Sequence, residues 1–311
     1  MAFDFDTQVN APFRMQPGLR RIEPGTPQLT PMHPGSRAQR EKLAVFWTYA
    51  PQALCATPDF DARPALSALC AEAAQEQPQA WTWDGRRATS PQQGVACDLD
   101  GRTEPLARGR YGCGDELTRC LAALPPAWRL PALLGLSFEE DFALVDAAAG
   151  TIPWLAVALP SHWAPEHKVG RDFAAIHAPV ADNRLLVEAG AGLLRLVAGA
   201  TRWQRCVWSI ADDPHLHAHP ARETTPRWQR TRVDQAWFRT EHQTFIPLPA
   251  RRQAWFTIQV QVRPLVEVLD TPARAARLHA AIASMSEAVI AYRGLTAVRG
   301  ALLAWLAQRA A

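Results

Sequence analysis

Lysine is nearly absent from this chain: it occurs only at Lys42 and Lys168, and arginine carries the rest of the cationic charge. Together with the abundant Ala and Pro, that imbalance matches a GC-rich coding bias and by itself says nothing about activity. No charge sign dominates either. The formal net charge is +3 over 311 residues, which excludes the basic stripe that tracks nucleic acid and any acidic tail. No apolar run is long enough to span a bilayer. The opening Met1-Ala2-Phe3-Asp4-Phe5-Asp6 is acidic and lacks the apolar core of an export signal. The six cysteines include no Cys-x-x-Cys pair, so no iron–sulfur or zinc clasp is spelled out. Scattered cysteines without an export signal predict reduced, mostly buried thiols. No G-x-G-x-x-G opens a helix after a strand. These absences predict a soluble, cytoplasmic protein with no nucleic-acid or membrane partner.

What is present is a core-forming chain, 48% apolar, well above the range of disordered sequences. Pro12, Pro17, Pro24, Pro27, Pro31 and Pro34 crowd the first forty or so residues, which predicts an extended segment lying over a surface. Helical spacing follows at 37–50 (Leu43, Phe46, Trp47), at 63–75 (Leu66, Leu69, Cys70, after Pro64) and at 116–124, which Pro125-Pro126 should stop. Residues 84–112 are polar and Gly-rich and read as a long loop. Residues 1–135 are therefore expected to form a Pro-rich, helical wrap with no sheet of its own.

At Phe138 the pattern changes. Strands are expected at 142–146 and 151–159, joined as a hairpin. Short helices and turns follow through Pro160–Gly170, then a helix capped by Asp182 or Asn183 that runs to about Ala198. Three strands come next, roughly 203–211, 236–248 and 253–268. In the last, Trp255, Thr257, Gln259 and Gln261 share one face, and Phe256, Ile258, Val260 and Val262 the other. Thr271-Pro272 then opens a C-terminal helix with the stripe Leu278, Ile282, Met285 and Val289, interrupted at Gly294 before 297–307. The divisions are 1–135, a core at 136–270, and 271–311. Two strands, helices, then three strands is the order of a PAS-like domain, so the expected fold class is α+β: an antiparallel sheet with helices on one face.

Several polar residues stand out. Arg239, Glu241 and Gln243 alternate along one strand and so share a face. Buried, such a triplet must be networked or line a pocket; the alternative is a solvent-facing strand surface. Lys168 survives where the coding bias favours arginine, which points to a need for a compact ammonium, against the plain reading of a solvated lysine. His215-Leu216-His217-Ala218-His219 could offer alternating imidazoles to a metal, although its flanking prolines and aspartates read as an exposed loop. Trp81, Trp83, Trp128 and Trp154 read as core or interface aromatics.

Separated motifs add a resemblance over about 138–268. Leu159-Pro160-Ser161-His162-Trp163, then Lys168 and Gly170, then Ile176-His177-Ala178-Pro179-Val180, form one block. Arg239-Thr240-Glu241-His242-Gln243-Thr244-Phe245 with Leu248-Pro249, then Phe256-Thr257-Ile258, form a second, and Glu140-Asp141 precedes the first strand. In this order the chain resembles the haem-binding, alpha-like subunit of the haem-dependent oxidative N-demethylases. The resemblance implies a PAS-fold subunit with b-type haem that uses O₂ to oxidise a small secondary amine such as dimethylamine. It also implies reductase-type partner subunits carrying FMN, an iron–sulfur cluster and tetrahydrofolate, with NADPH as electron source.

On that resemblance His177 becomes the iron ligand, with Lys168 and Trp163 beside the cofactor; the competing reading of His177 is a capped or core histidine. Glu241, Arg239 and Gln243 become the catalytic group, the carboxylate holding or deprotonating an alkylammonium and Arg or Gln polarising O₂. The chain departs from the family at His242 (usually Arg), at Val207-Trp208 (usually Asn beside the tryptophan) and at Gln259-Val260-Gln261. Two other functions stay open: a haem PAS module that senses a gas without turnover, and a haem-free structural subunit.

Overall fold

The computed structural model describes residues 3–108, 112–222, 226–229 and 232–311. Residues 1–2, where the acidic N-terminal reading begins, and 109–111, at the end of the expected 84–112 loop, lie outside these. In chain order the strands are β1 (Arg20–Arg21), β2 (Leu54–Ala56), β3 (Thr82–Trp83), β4 (Arg87–Ser90), β5 (Val95–Asp98) and β6 (Thr103–Pro105). They continue as β7 (Glu140–Asp146), β8 (Thr151–Ala156), β9 (Trp203–Ala211), β10 (Trp237–Leu248) and β11 (Gln253–Pro264).

One seven-stranded sheet runs β1-β9-β10-β11-β7-β8-β2, and every neighbouring pair in it is antiparallel. The class α+β with a large antiparallel sheet therefore holds. The expected hairpin is β7–β8, and β9 spans the residues its alternation marked. β11 stops at Pro264, four residues short of the expected 268, because Leu265–Val268 closes into a helical turn.

The structure departs from expectation in three places. The N-terminal region does have a sheet of its own, β3-β4-β5-β6, four antiparallel strands of which β4 to β6 lie within the supposed loop and β3 just before it. The helix expected at 116–124 does end before Pro125-Pro126, at Ala123, but an unexpected helix, Pro126–Ser137, starts there. Proline at the first helical position loses no hydrogen bond that a helix would otherwise make. The C-terminal helix breaks at Gly294 as expected and once more before Glu287, giving Pro272–Ala283, Glu287–Tyr292 and Arg299–Ala310. Thr271 caps the first, accepting from the Arg274 amide. Gly294 at φ 67° turns the chain after the second. A Cβ there would stand 2.3 Å from Arg227 Nη1.

Helices cover both faces of the sheet, not one. Register places Trp255, Thr257 and Gln259 on the same face as Phe142, Leu144 and Thr244. This face packs on the N-terminal helices: Trp255 Nε1 donates to the Ala65 carbonyl at 3.0 Å, and Trp128, Trp154 and Trp255 form a chain of ring contacts at 5.3 Å each. Trp81 and Trp154 are core residues, with Trp83 and Trp128 packed against the core. Trp47, expected on an apolar face, is instead 53% exposed. Lys42 is buried beneath this layer, paired with Asp141 at 3.0 Å and donating to the Phe138 and Glu140 carbonyls at 3.2 and 2.7 Å.

The opposite face, with Val145, Phe245 and Phe256, meets the helices Phe173–His177, Arg184–Glu188 and Gly190–Val197. All six cysteines are free, and four of them are buried. Among the described residues no helix is long and apolar enough to cross a membrane.

Candidate functional site: a cleft between the sheet and the helices

Between those helices and the sheet lie two adjoining cavities. One is apolar, about 110 Å³, lined by Leu19, Val145, Leu193, Val197, Phe245 and Phe256 among others. The other is larger, about 320 Å³, and carries the charged groups on a largely apolar lining; it includes Trp163, Lys168, Arg205, Glu241, Tyr292 and Arg293. His177, Ile176, Arg205, Gln243 and Phe256 line both, so the two form one cleft with His177 at the junction. Its size falls in the range of small-molecule sites. The Pro-rich N-terminal segment lies across this cleft through Met15, Gln16, Pro17 and Leu19.

His177 ends a five-residue helix capped by Asp172, whose Oδ1 accepts from the Ala175 amide at 2.7 Å. Its Nδ1 sits 2.7 Å from the Phe173 carbonyl. A carbonyl only accepts, so this contact fixes the proton on Nδ1 and leaves Nε2 as a bare lone pair. Among the described residues Nε2 has no hydrogen-bond partner. The Phe173 ring packs on the imidazole at 4.1 Å and lies over Gly190, where a Cβ would stand 2.6 Å from it. Burial, opposed by the Phe173 carbonyl and assisted by the charges of Arg205 and Lys168, lowers the imidazole pKa from its ordinary value. The ring is therefore neutral at neutral pH, the form that ligates metals.

Among the described residues Lys168 reaches no carboxylate. It donates to the Ile176 carbonyl at 2.8 Å, and burial lowers its pKa. Asn183 donates to the His177 and Ala178 carbonyls at 2.9 and 3.2 Å rather than capping the helix that follows. Both side chains thus tie down the C-terminal end of the His177 helix, where the carbonyls lack internal partners and a cation is favoured. Both lysines of the chain donate to backbone carbonyls, Lys42 to two and Lys168 to one, and Lys42 also pairs with Asp141.

Arg239, Glu241 and Gln243 share the cleft face, as their alternation required. Their roles differ. Arg239, 2% exposed, gives its guanidinium to Ser161 Oγ (2.7 Å) and to the carbonyls of His215 (2.9 Å), Pro160 (3.2 Å) and Leu216 (2.6 Å). It pins the Ser161-His162-Trp163 turn and the 215–216 loop to the sheet. Burial pushes its pKa down to about 10, which still leaves it charged. Gln243 Nε2 donates to Glu241 Oε2 at 2.5 Å, holding that carboxylate while Oε1 keeps no partner among the described residues.

Arg205 escaped the sequence reading. Pairing sets it opposite Gln243, with Val207 opposite Glu241 and Ser209 opposite Arg239. The signal was the alternation of β9, which needed the β9–β10 register to be useful. Of the three family departures, Val207-Trp208 lines the cleft, whereas His242 and Gln259 face the other side of the sheet. His242 Nε2 meets Gln204 at 2.8 Å, and burial pushes its pKa down to about 4. Gln259 donates to Thr30 and Glu139. Val260, the middle residue of the third departure, pairs with Glu241 and so shares the cleft face.

Of the His215-Leu216-His217-Ala218-His219 stretch, His217 and His219 stack at 5.9 Å while His215 stands apart. His215 pairs with Asp213 at 2.5 Å on the surface. His217 Nδ1 meets the Ala158 carbonyl at 2.6 Å, and His219 meets Glu166 at 3.1 Å. Among the described residues no cluster of three or more His, Cys, Asp or Glu is arranged to hold a metal ion. One family model, described as haem-dependent oxidative N-demethylase, alpha subunit-like, matches residues 123–303, which contain the sheet strands β7–β11 and the residues of the cleft except its N-terminal strap.

Proposed function

Because the chain belongs to the haem-dependent oxidative N-demethylase, alpha subunit-like, family, we propose that it carries a b-type haem in this cleft, ligated by His177 Nε2. The observation that carries the reading is the His177 tautomer: Nδ1 is held by the Phe173 carbonyl and Nε2 is left unpaired. That is the arrangement that orients and strengthens a metal-ligating imidazole. The lining fits an amphiphilic macrocycle, with apolar walls at Leu19, Leu193, Leu194, Val197 and Phe256 and cationic groups on the polar side. Lys168 holds the ligand helix, and Trp163, in the turn pinned by Arg239, packs beside the cofactor.

The proposed reaction is O₂-dependent oxidation of a small secondary amine of the dimethylamine class. Haem supplies the redox chemistry when bound. Glu241 binds the alkylammonium through Oε1 and takes its proton, which frees the nitrogen lone pair that oxidation requires. Gln243 keeps the carboxylate oriented, and Val207 opposite gives the N-methyl groups an apolar wall. Arg239 acts as a positioning residue.

The core is proposed to be PAS-like; its support is the single antiparallel sheet in which the hairpin β7–β8 adjoins β11 and the ligand-facing helices fall between β8 and β9. Electrons are proposed to come from reductase-type partner subunits bearing FMN, an iron–sulfur cluster and tetrahydrofolate. A cytoplasmic location accords with six free cysteines. The test is formaldehyde release from dimethylamine by haem-loaded protein with a competent reductase. Release that is lost in Glu241→Gln supports the reading. A haem-loaded protein that binds O₂ or CO but releases no formaldehyde from any small secondary amine contradicts it and favours a gas-binding role.

A further inference from the structure

The polar half of the cleft holds more positive charge than its own groups neutralise. Lys168, Arg205, Arg227, Arg239 and Arg293 line it, against the single carboxylate Glu241. Three of these cations are already engaged. Lys168 and Arg239 serve carbonyls, and Arg227 pairs with Asp212 at 3.4 Å. Arg205 and Arg293 differ: among the described residues neither has a carboxylate within ion-pair distance, and the Nε of each is buried with no hydrogen-bond partner.

Arg293 is nonetheless held firmly. It lies over the rings of Phe13 (4.6 Å) and Trp208 (5.0 Å) and donates to the Trp208 carbonyl. Tyr292, half-exposed at the cleft, feels the charges of Arg293, Glu241 and Arg205 together. Burial lowers the pKa of both guanidiniums, that of Arg293 to about 10, so both are charged at neutral pH. Glu241 acts on Arg205 from beyond ion-pair distance, and a buried guanidinium with no carboxylate in contact is a standing cost to the fold. A fork that presents free N–H groups to a cavity matches a carboxylate in shape and charge.

We propose that Arg205 and Arg293 form a carboxylate-binding pair on the polar side of the cleft, beside Glu241. The proposal rests on the haem reading and deepens it. Two sources can bring a carboxylate there: the propionates of the haem, or the carboxylate of an N-alkyl amino acid substrate whose ammonium sits on Glu241.

The experiment titrates haem and haem dimethyl ester into wild type, Arg205→Gln and Arg293→Lys, and then titrates the haem-loaded proteins with dimethylamine and with N-methylglycine. If the propionates are the source, wild type binds haem at least about tenfold more tightly than the ester, and the variants lose that preference. If the substrate is the source, haem and ester bind alike. N-methylglycine then shifts the Soret band at lower concentration than dimethylamine, and Arg205→Gln reverses the order. In either case the ligand-free melting temperature of Arg205→Gln is equal to or above that of wild type, because an unpaired charge has been removed. Preferences that are absent in wild type, or unchanged in both variants, overturn the proposal while leaving haem binding intact. A lowered ligand-free melting temperature with unchanged preferences marks Arg205 as a structural cation and also overturns it. A wild type that takes up no haem overturns this proposal and the haem reading together.

Discussion

Arg239→Met separates a fastening role from a catalytic one. The wild-type guanidinium donates to Ser161 Oγ and to three buried or half-buried carbonyls, those of Pro160, His215 and Leu216. Methionine fills much of the same volume and donates nothing. The Pro160 carbonyl keeps the Ala218 amide; the His215 and Leu216 carbonyls, left without that donor, cost about 1–3 kcal/mol each, and removing the buried charge returns part of that. The net loss expected is about 3–5 kcal/mol, as for other broken buried charge networks. Equilibrium urea unfolding followed by far-ultraviolet circular dichroism measures it directly. Arg239→Lys should recover little, because one ammonium cannot span the four acceptors that the fork reaches. The damage should also be local. Amide exchange should quicken first at His162 and Ala218, which bond to the Ala218 and Pro160 carbonyls at 2.7 and 3.0 Å. A variant within about 1 kcal/mol of wild type, with unchanged exchange at those amides, would refute the clamp.

Lys168→Met removes the ammonium from the Ile176 carbonyl and loosens the helix that carries His177; haem affinity should fall about 10–100-fold by absorbance titration, as for other outer-shell changes. Two carboxyls, the buried Glu140 and the half-buried Glu76 beside Glu72, are each pushed up to about 7, chiefly by burial, from an ordinary 4.5. Between those values the folded state keeps protons that the unfolded chain releases. Stability should therefore be greatest below about pH 4.5 as far as these groups are concerned and fall as pH rises to about 7, by up to about 1.4 kcal/mol per pH unit per group. Glu140→Gln should flatten that slope in melting-temperature profiles; an unchanged profile would contradict the burial argument. Val207→Asn should alter the amine-induced Soret shift, whereas His242→Gln, on the far face of the sheet, should leave it unchanged.

The strands of the core were legible because they are long and alternate. β9 kept its expected bounds, and Arg239, Glu241 and Gln243 declared a common face by spacing alone. β3 to β6 were not legible. They are two to four residues long, too short for a period to emerge from the Gly and Arg around them. The helix Pro126–Ser137 was hidden by prolines at its start and by Pro131 within it, yet tertiary burial of Leu130, Leu133, Leu134 and Leu136 sustains it. At the site, His177 could be singled out, but its tautomer could not, because that depends on which atom meets the Phe173 carbonyl. Lys168 could be singled out by its rarity, while its acceptor, a helix-end carbonyl, is a matter of three-dimensional placement. Arg205 and the sidedness of His242 and Val207 both required the β9–β10 register, which no single strand carries.

The central claim is that His177 Nε2 ligates haem iron, and visible absorption of the purified protein with stoichiometric haem tests it most directly. Wild type should show a Soret band characteristic of an imidazole-ligated haem. His177→Ala should lose it, and added imidazole should restore it by occupying the vacated position. A wild-type protein that stays colourless after haem supplementation, or a His177→Ala spectrum identical to wild type, would contradict the account.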